Sequence, residues 1–123
     1  MLEGVAFSLK DTFSLFAAMK VPVNNVRLGG GGARSELWRQ IQADVYGYEV
    51  EILAAEEGAA YGGALLAGVG AKWWNSVEEA CDRVVEVQQR VKPNPLAAAA
   101  VDKQYENYRL LYPALKPLFA RMG

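Results

Sequence analysis

The sequence predicts an α/β layer in which helices pack on a small sheet. Three observations carry this. Apolar residues recur at three- and four-residue spacing over residues 2–20. A short apolar run, 23–28, and an alternating segment, 48–53, are separated by a second helical pattern. The resulting order of helix, strand, helix, strand, helix and helical tail alternates as layered α/β domains do.

In the first helix Leu2, Val5, Leu9, Phe13, Phe16 and Met19 form an apolar stripe, and Pro22 stops it. Residues 23–28 read as a buried strand, interrupted by Gly29, Gly30, Gly31 and Gly32. Ser35 is placed to N-cap the second helix, with Glu36 against the positive end of its dipole. Leu37, Ile41 and Val45 form that helix's stripe, Trp38 lies beside it, and Gly47 stands at its C′ position. In residues 48–53, Val50 and Ile52 point one way and Glu49 and Glu51 the other, which predicts a strand with one wet face.

Residues 58–70 are rich in alanine and glycine. Glycine costs a helix interior about 1 kcal/mol relative to alanine, so a helix here implies close approach to another backbone. Trp73 and Trp74 read as buried packing at its end. Ser76-Val77-Glu78-Glu79 has capping-box spacing and starts a short helix. Val84, Val85 and Val87 lead into Lys92-Pro93-Asn94-Pro95, read as a loop. A last helix from Val101 carries Tyr105, Tyr108, Tyr112, Leu115 and Phe119 as a packing face, with Pro113 kinking or restarting it.

Composition excludes several chemistries. The chain has 123 residues and a net charge of −1, so it carries no basic field for nucleic acid or an acidic membrane. No apolar run approaches the ~20 residues that span a bilayer, and the N-terminus lacks a signal-peptide pattern. The single cysteine, Cys81, forms no intrachain disulfide and fits a reducing, cytoplasmic setting. Histidine is absent. That rules out Ser-His-Asp and Cys-His nucleophile systems built from this chain alone, and removes the commonest transition-metal ligand. Cys81 stands next to Asp82 with no adjacent cation to activate it.

The sharpest feature is the strand–glycine–helix segment from Val26 to Trp38. Glycines let a ligand lie on bare backbone, and N–H groups at a helix start suit a phosphate. Nucleotide binding and a merely flexible turn both fit the segment. A P-loop would need a Gly-Lys-Ser/Thr that is missing, and a dinucleotide fingerprint would need a third glycine where Ser35 stands. A small NAD-binding domain therefore fits poorly; Glu51, its nearest ribose partner, reads as solvent-facing.

Four segments in order resemble the FGGY carbohydrate kinases of the actin-like ATPase superfamily. They are Leu2-Glu3-Gly4-Val5-Ala6-Phe7, the Gly30-Gly31-Gly32-Ala33-Arg34-Ser35 turn with Leu37 and Trp38, the block from Glu57 to Ala67, and Tyr108-Arg109 with Leu111-Tyr112-Pro113-Ala114-Leu115. The last is similar to the tail of the family's xylulose kinases. The resemblance implies an incomplete actin-like, ribonuclease H-like C-terminal lobe, with residues 1–123 as the C-terminal portion of the nucleotide-binding lobe. It implies ATP with Mg²⁺, and transfer of the γ-phosphoryl group to a sugar hydroxyl, D-xylulose giving xylulose 5-phosphate. Gly30, Gly31 and Gly32 would lie in the adenosine-binding motif, the last two against the α-phosphate and ribose, with Ala33, Ser35 and Glu36 near the adenine.

Family members are several times longer, and their sugar-binding lobe and catalytic aspartate lie upstream of these motifs. Asp11, Asp44, Asp82 and Asp102 read as surface or capping residues, so the chain alone is expected to be inactive, with sugar bound only in the complete enzyme. An incomplete sheet would expose an apolar edge and face, through which a homo-oligomer is expected. The alternative is a non-catalytic nucleotide-binding or protein-interaction module derived from a sugar kinase.

Overall fold

The computed structural model describes residues 2–54 and 58–122. Along these the chain runs α1 (Leu2–Ala18), β1 (Val26–Leu28), a 3-10 turn (Gly31–Arg34), α2 (Glu36–Tyr46), β2 (Val50–Leu53), α3 (Gly58–Gly70), α4 (Val77–Val84), β3 (Val87–Val91) and α5 (Pro95–Met122). Glu57, which opens the block running to Ala67, lies outside the described residues.

The strands form one sheet in the order β1-β2-β3. β1 and β2 are parallel, with Val26 opposite Val50, Arg27 opposite Glu51 and Leu28 opposite Ile52. Parallel neighbours need a crossover, and α2 provides it. Both ends of α2 follow from single residues. Ser35 Oγ accepts the Trp38 N–H at 3.3 Å. Gly47 adopts φ 73°, and its N–H reaches the Ala43 carbonyl at 2.9 Å, which turns the chain back toward β2. β3 runs antiparallel to β2 on the other side, with Val91 opposite Val50, Arg90 opposite Glu51 and Gln89 opposite Ile52.

The core lies between the sheet and α1, α2 and α5. Val45 of α2 and Val50 of β2 are completely buried, with Ala6, Phe7, Leu28, Tyr46, Ile52 and Tyr105 around them. Phe7 packs its ring 5.6 Å from Tyr105 and 5.4 Å from Tyr108, joining α1 to α5. Tyr105 also donates to Asp11 Oδ1 at 2.5 Å, and Lys10 pairs with Asp102 at 2.6 Å along the same seam.

Several elements differ from the sequence reading. α1 buries Ala6 and Phe7, while Leu2, Val5, Leu9, Phe16 and Met19 of the expected stripe are exposed. Phe13 alone of that stripe packs on the core, against Tyr46 and Tyr48, because α2 and α5 set the contact side of α1. In α2, likewise, Leu37 is 65% exposed and Gln42, Ala43, Val45 and Tyr46 are inside. In α3 the close neighbour is an indole, not a backbone: a Cβ on Gly68 would lie 2.3 Å from the Trp74 ring, while Gly62 and Gly63 face open space. Trp73, expected to be buried, is 77% exposed.

The segment read as a lead-in to a loop contains the strand β3, because Val87 and Val91 pair with Leu53 and Val50. α5 begins at Pro95, not Val101. Asn94 caps it, its Oδ1 accepting the Leu96 and Ala97 N–H groups at 3.0 and 3.4 Å, and proline at the first helical position needs no N–H partner. The helix also continues through Pro113 and Pro117. Both stand in its exposed half, where water can reach the carbonyl that each leaves without a donor. The tyrosine face is divided: Tyr105 and Tyr108 pack on the core, whereas Tyr112, Leu115 and Phe119 line an open groove of about 470 Å³. No helix among the described residues is long and apolar enough to cross a membrane.

Two glycine substitutions should move stability in opposite directions. Gly47→Ala forces a side chain into the left-handed region and should cost about 1 kcal/mol in urea unfolding. Gly62→Ala, in a helix interior with nothing near its Cβ, should stabilise by about 0.5 kcal/mol. Equal effects at the two positions would contradict the backbone described here.

Candidate functional site

The candidate site is the turn between β1 and α2. β1 ends at the buried Leu28. Gly30 then adopts φ 75° and ψ −179°, a conformation open essentially to glycine alone. The chain tightens into one 3-10 turn, with the Ala33 N–H bonded to the Gly30 carbonyl at 3.1 Å and the Ser35 N–H to the Gly32 carbonyl at 3.2 Å. A turn of this kind supplies no internal acceptor for its first N–H groups, those of Gly31 and Gly32. Above Gly29, Gly30 and Gly31 the Cβ side is open.

α2 holds the turn through its first two turns. The indole of Trp38 lies against Gly32, where a Cβ would meet Cδ1 and Nε1 at 3.2 Å. Arg39 Nε donates to the Ala33 carbonyl, and its Nη1 donates to Gln89 Oε1 on β3 at 2.6 Å. Ala33 itself is packed into the core.

Two cavities border the turn. The larger, about 350 Å³, is lined by Leu9, Phe13, Gly29, Ala33, Trp38 and Tyr46 among others. Apolar and aromatic side chains share it with Thr12, Arg27 and Gln42, which suits a flat heteroaromatic group with polar edges. The smaller, about 50 Å³, opens between Gly29, Gly30, Arg34, Arg39, Leu53 and Gln88. Two guanidiniums beside bare backbone suit an anion, above all a phosphate.

Of the residues expected from sequence, Gly30, Gly31, Gly32, Ala33, Ser35 and Glu36 form one continuous turn and helix start. Gly30 and Ala33 line a cavity; Gly31, Gly32, Ser35 and Glu36 line neither of the two. Sequence reasoning passed over Arg34, Arg39 and Gln88. The two arginines were visible beside the glycines, but Gln88 comes from a strand that had not been recognised.

Glu51, considered as a ribose partner and expected to face solvent, is only 8% exposed. The strand register places it between two arginines. Its Oε2 accepts from Arg27 Nε at 3.2 Å, and its Oε1 accepts from Arg90 Nε and Nη2 at 3.2 and 3.1 Å. Hydrogen bonds from Arg27, and then from Arg90, hold its carboxyl below the usual carboxylate range. Both oxygens are thus engaged across the sheet.

The aspartates also have structural tasks. Asp44, expected at the surface or in a cap, is buried and accepts the Asn94 N–H at 2.7 Å and Gln40 Nε2 at 2.8 Å, tying α2 to the start of α5. Asp11 and Asp102 serve the α1–α5 seam. Among the described residues no group of three or more His, Cys, Asp or Glu side chains converges to hold a metal.

Comparison with known proteins places these elements. Residues 1–71 match the family model described as the FGGY family of carbohydrate kinases, C-terminal domain. The xylulose kinase of Escherichia coli (strain K12) is 36% identical over 121 residues, 98% of this chain and 25% of that protein. A xylulose kinase of Staphylococcus epidermidis is 30% identical over 120 residues, 98% of this chain and 24% of its own. The crystal structure of xylulose kinase from Rhodospirillum rubrum superposes with a TM-score of 0.81 at 28% identity, over 97% of this chain and 24% of that one. The chain spans about a quarter of the length of the curated relatives it matches.

The Arg27–Glu51–Arg90 bridge makes a pH prediction. Because Glu51 is held below its ordinary value of about 4.5, its contribution to stability is present above that pH and is lost as pH falls through the lowered value. Glu51→Gln should therefore lower the melting temperature at pH 7 and flatten its decline on acidification below pH ~4.5. Parallel acid profiles for the two proteins would contradict the bridge.

Proposed function

The chain belongs to the FGGY family of carbohydrate kinases, and from that membership we propose that it forms the adenosine-binding wall of an ATP-dependent sugar kinase. Its fold is that of the C-terminal lobe of the actin-like ATPases. Residues 1–123 are assigned to the C-terminal portion of the nucleotide-binding lobe, with sugar binding and the catalytic base assigned to the remaining three-quarters of a full-length kinase. The xylulose kinases among its relatives favour D-xylulose as acceptor and xylulose 5-phosphate as product.

The observation that carries this reading is the backbone of Gly30. A left-handed, extended glycine leads from a buried parallel strand into a turn with an open Cβ side, and two arginines stand at its rim. In the proposed arrangement the Gly31 and Gly32 backbone lies along the α-phosphate and ribose. Ala33, Ser35 and Glu36 lie beside the adenine, and Arg34 offsets phosphate charge. ATP, with Mg²⁺ on its phosphates, supplies the γ-phosphoryl group. This chain's part is to hold the nucleotide in register with the acceptor, which contributes to phosphoryl transfer through positioning and charge. One wall cannot align the acceptor, so the chain alone is inactive in this proposal.

The exposed stripe of α1 and the outer edge of β1 favour a second reading, a nucleotide-binding module that self-associates through this surface. Sedimentation distinguishes it: a monomer at tens of micromolar (~, above typical weak association constants) would remove self-association.

Calorimetry tests the main proposal. ADP should bind with a Kd of about 1 mM or tighter, and Gly30→Val should weaken binding at least tenfold, by roughly 1.4 kcal/mol. No heat from the unmodified chain at millimolar ADP would end the nucleotide assignment. With ATP, Mg²⁺ and D-xylulose the chain should show no turnover; sustained turnover would overturn its incompleteness.

A further inference from the structure

We propose that Arg39 is the positioning residue of the glycine turn, and that through it strand β3 takes part in setting the nucleotide site; this rests on the nucleotide reading above. The turn's own bonds, Ala33 N–H to Gly30 and Ser35 N–H to Gly32, fix its shape. They do not fix its place relative to the sheet. Arg39 does so with two donors aimed in different directions. Nε reaches back one and a half helical turns to the Ala33 carbonyl, and Nη1 reaches across to Gln89 Oε1 on β3 at 2.6 Å. A guanidinium is suited to this because its donors are held in one rigid plane.

The anchor at the far end is itself fixed. Gln89 is paired in register with Ile52, which belongs to the buried core of β2. A path of hydrogen bonds therefore runs from the core strand, through Gln89 and Arg39, to the carbonyl at the centre of the 3-10 turn. Gln88, the preceding residue of β3, lines the smaller cavity with Gly30 and Arg34. Movement of β3 would thus shift both the clamp and one rim of the site. β3 lies outside residues 1–71, the part that matches the family model.

The chemistry separates this role from simple attraction between Arg39 and a phosphate. A lysine at position 39 keeps the charge but cannot donate in the two fixed directions. If Arg39 acts only by charge, Arg39→Lys should bind ADP normally. If it acts as a clamp, Arg39→Lys should resemble Arg39→Ala.

Two readouts test the proposal on the full chain, one of them without nucleotide. In hydrogen exchange, Arg39→Ala should accelerate the Ala33 and Ser35 amides about tenfold, while the β2 amides and the second half of α2 keep their protection. Gln89→Ala should give a smaller acceleration of the same two amides. Combined with Arg39→Ala it should add nothing, as expected when two residues act along one path. In calorimetry, ADP affinity should fall about tenfold in Arg39→Ala and in Arg39→Lys.

Unchanged turn exchange in Arg39→Ala, or equal acceleration across the whole chain, would overturn the positioning role. So would additive effects of the two alanine substitutions, or full ADP affinity in Arg39→Lys. Should Arg39→Ala fail to fold, Gln89→Ala and Arg39→Lys carry the same test. An unmodified chain that ignores ADP, yet whose turn loosens in Arg39→Ala, would remove the nucleotide reading and leave the clamp. A chain that binds ADP equally well with and without the Arg39 side chain would do the reverse.

Discussion

The crossing of α2 behind the β1–β2 pair sets the positions of the elements around it. Val45 of α2 and Val50 of β2 lie in one core there, with no exposed surface. Burying side chains of this size contributes about 1.5–3 kcal/mol each, and nothing at the crossing can shift without opening a void. Once α2 is fixed against β2, its two ends have fixed positions as well. At one end Gly47 must turn left-handed to bring the chain into β2. At the other the chain must arrive from β1 through a short, tight bend. The Gly30 conformation and the 3-10 turn are the geometric consequence of joining a parallel strand to its crossover helix in so few residues.

That bend is gripped from one side and open on the other. Trp38, Ser35 and Arg39 all come from α2 and hold the turn from beneath. The opposite side bears no side chain at Gly29, Gly30 or Gly31. A rigid seat with bare backbone above it is what a nucleotide-binding wall requires, because the cost of ordering the loop has been met during folding and not at binding. The polar face of the sheet supports the same rigidity. Arg27, Glu51 and Arg90 stand side by side on three adjacent strands, so one carboxylate cross-links the sheet at mid-height. Among the described residues no buried side-chain nitrogen or oxygen lacks a hydrogen-bond partner. That low-lying carboxylate is therefore satisfied, as a buried charge must be.

The outer surfaces tell a different story. The apolar stripe of α1 and the distal half of α5 are exposed, although both have the spacing of buried helix faces. Exposed apolar faces of this extent mark surfaces made for contact. The curated relatives are about four times the length of this chain.

Features that arise from a residue's own chemistry were legible along the chain. Ser35, Ser76 and Gly47 fixed helix ends because capping bonds and left-handed backbone are decided within a few residues. The strand–glycine–helix order, and with it the six-residue candidate turn, was legible for the same reason, and so was the family. α5 begins at Pro95, ahead of the expected Val101, because Asn94-Pro95 is itself a helix-start signal. Which side of an element is inside depends instead on packing between distant segments. α1 hides Ala6 and Phe7 and not its richest stripe, because burial is set by where α2 and α5 stand. Glu51 is covered and not wet because strand register brings Arg27 and Arg90, 24 and 39 residues away, to its two oxygens. Gln89 meets Arg39 for the same reason. Such contacts join residues distant in the chain, and periodicity along one segment carries no information about what another segment will place opposite it.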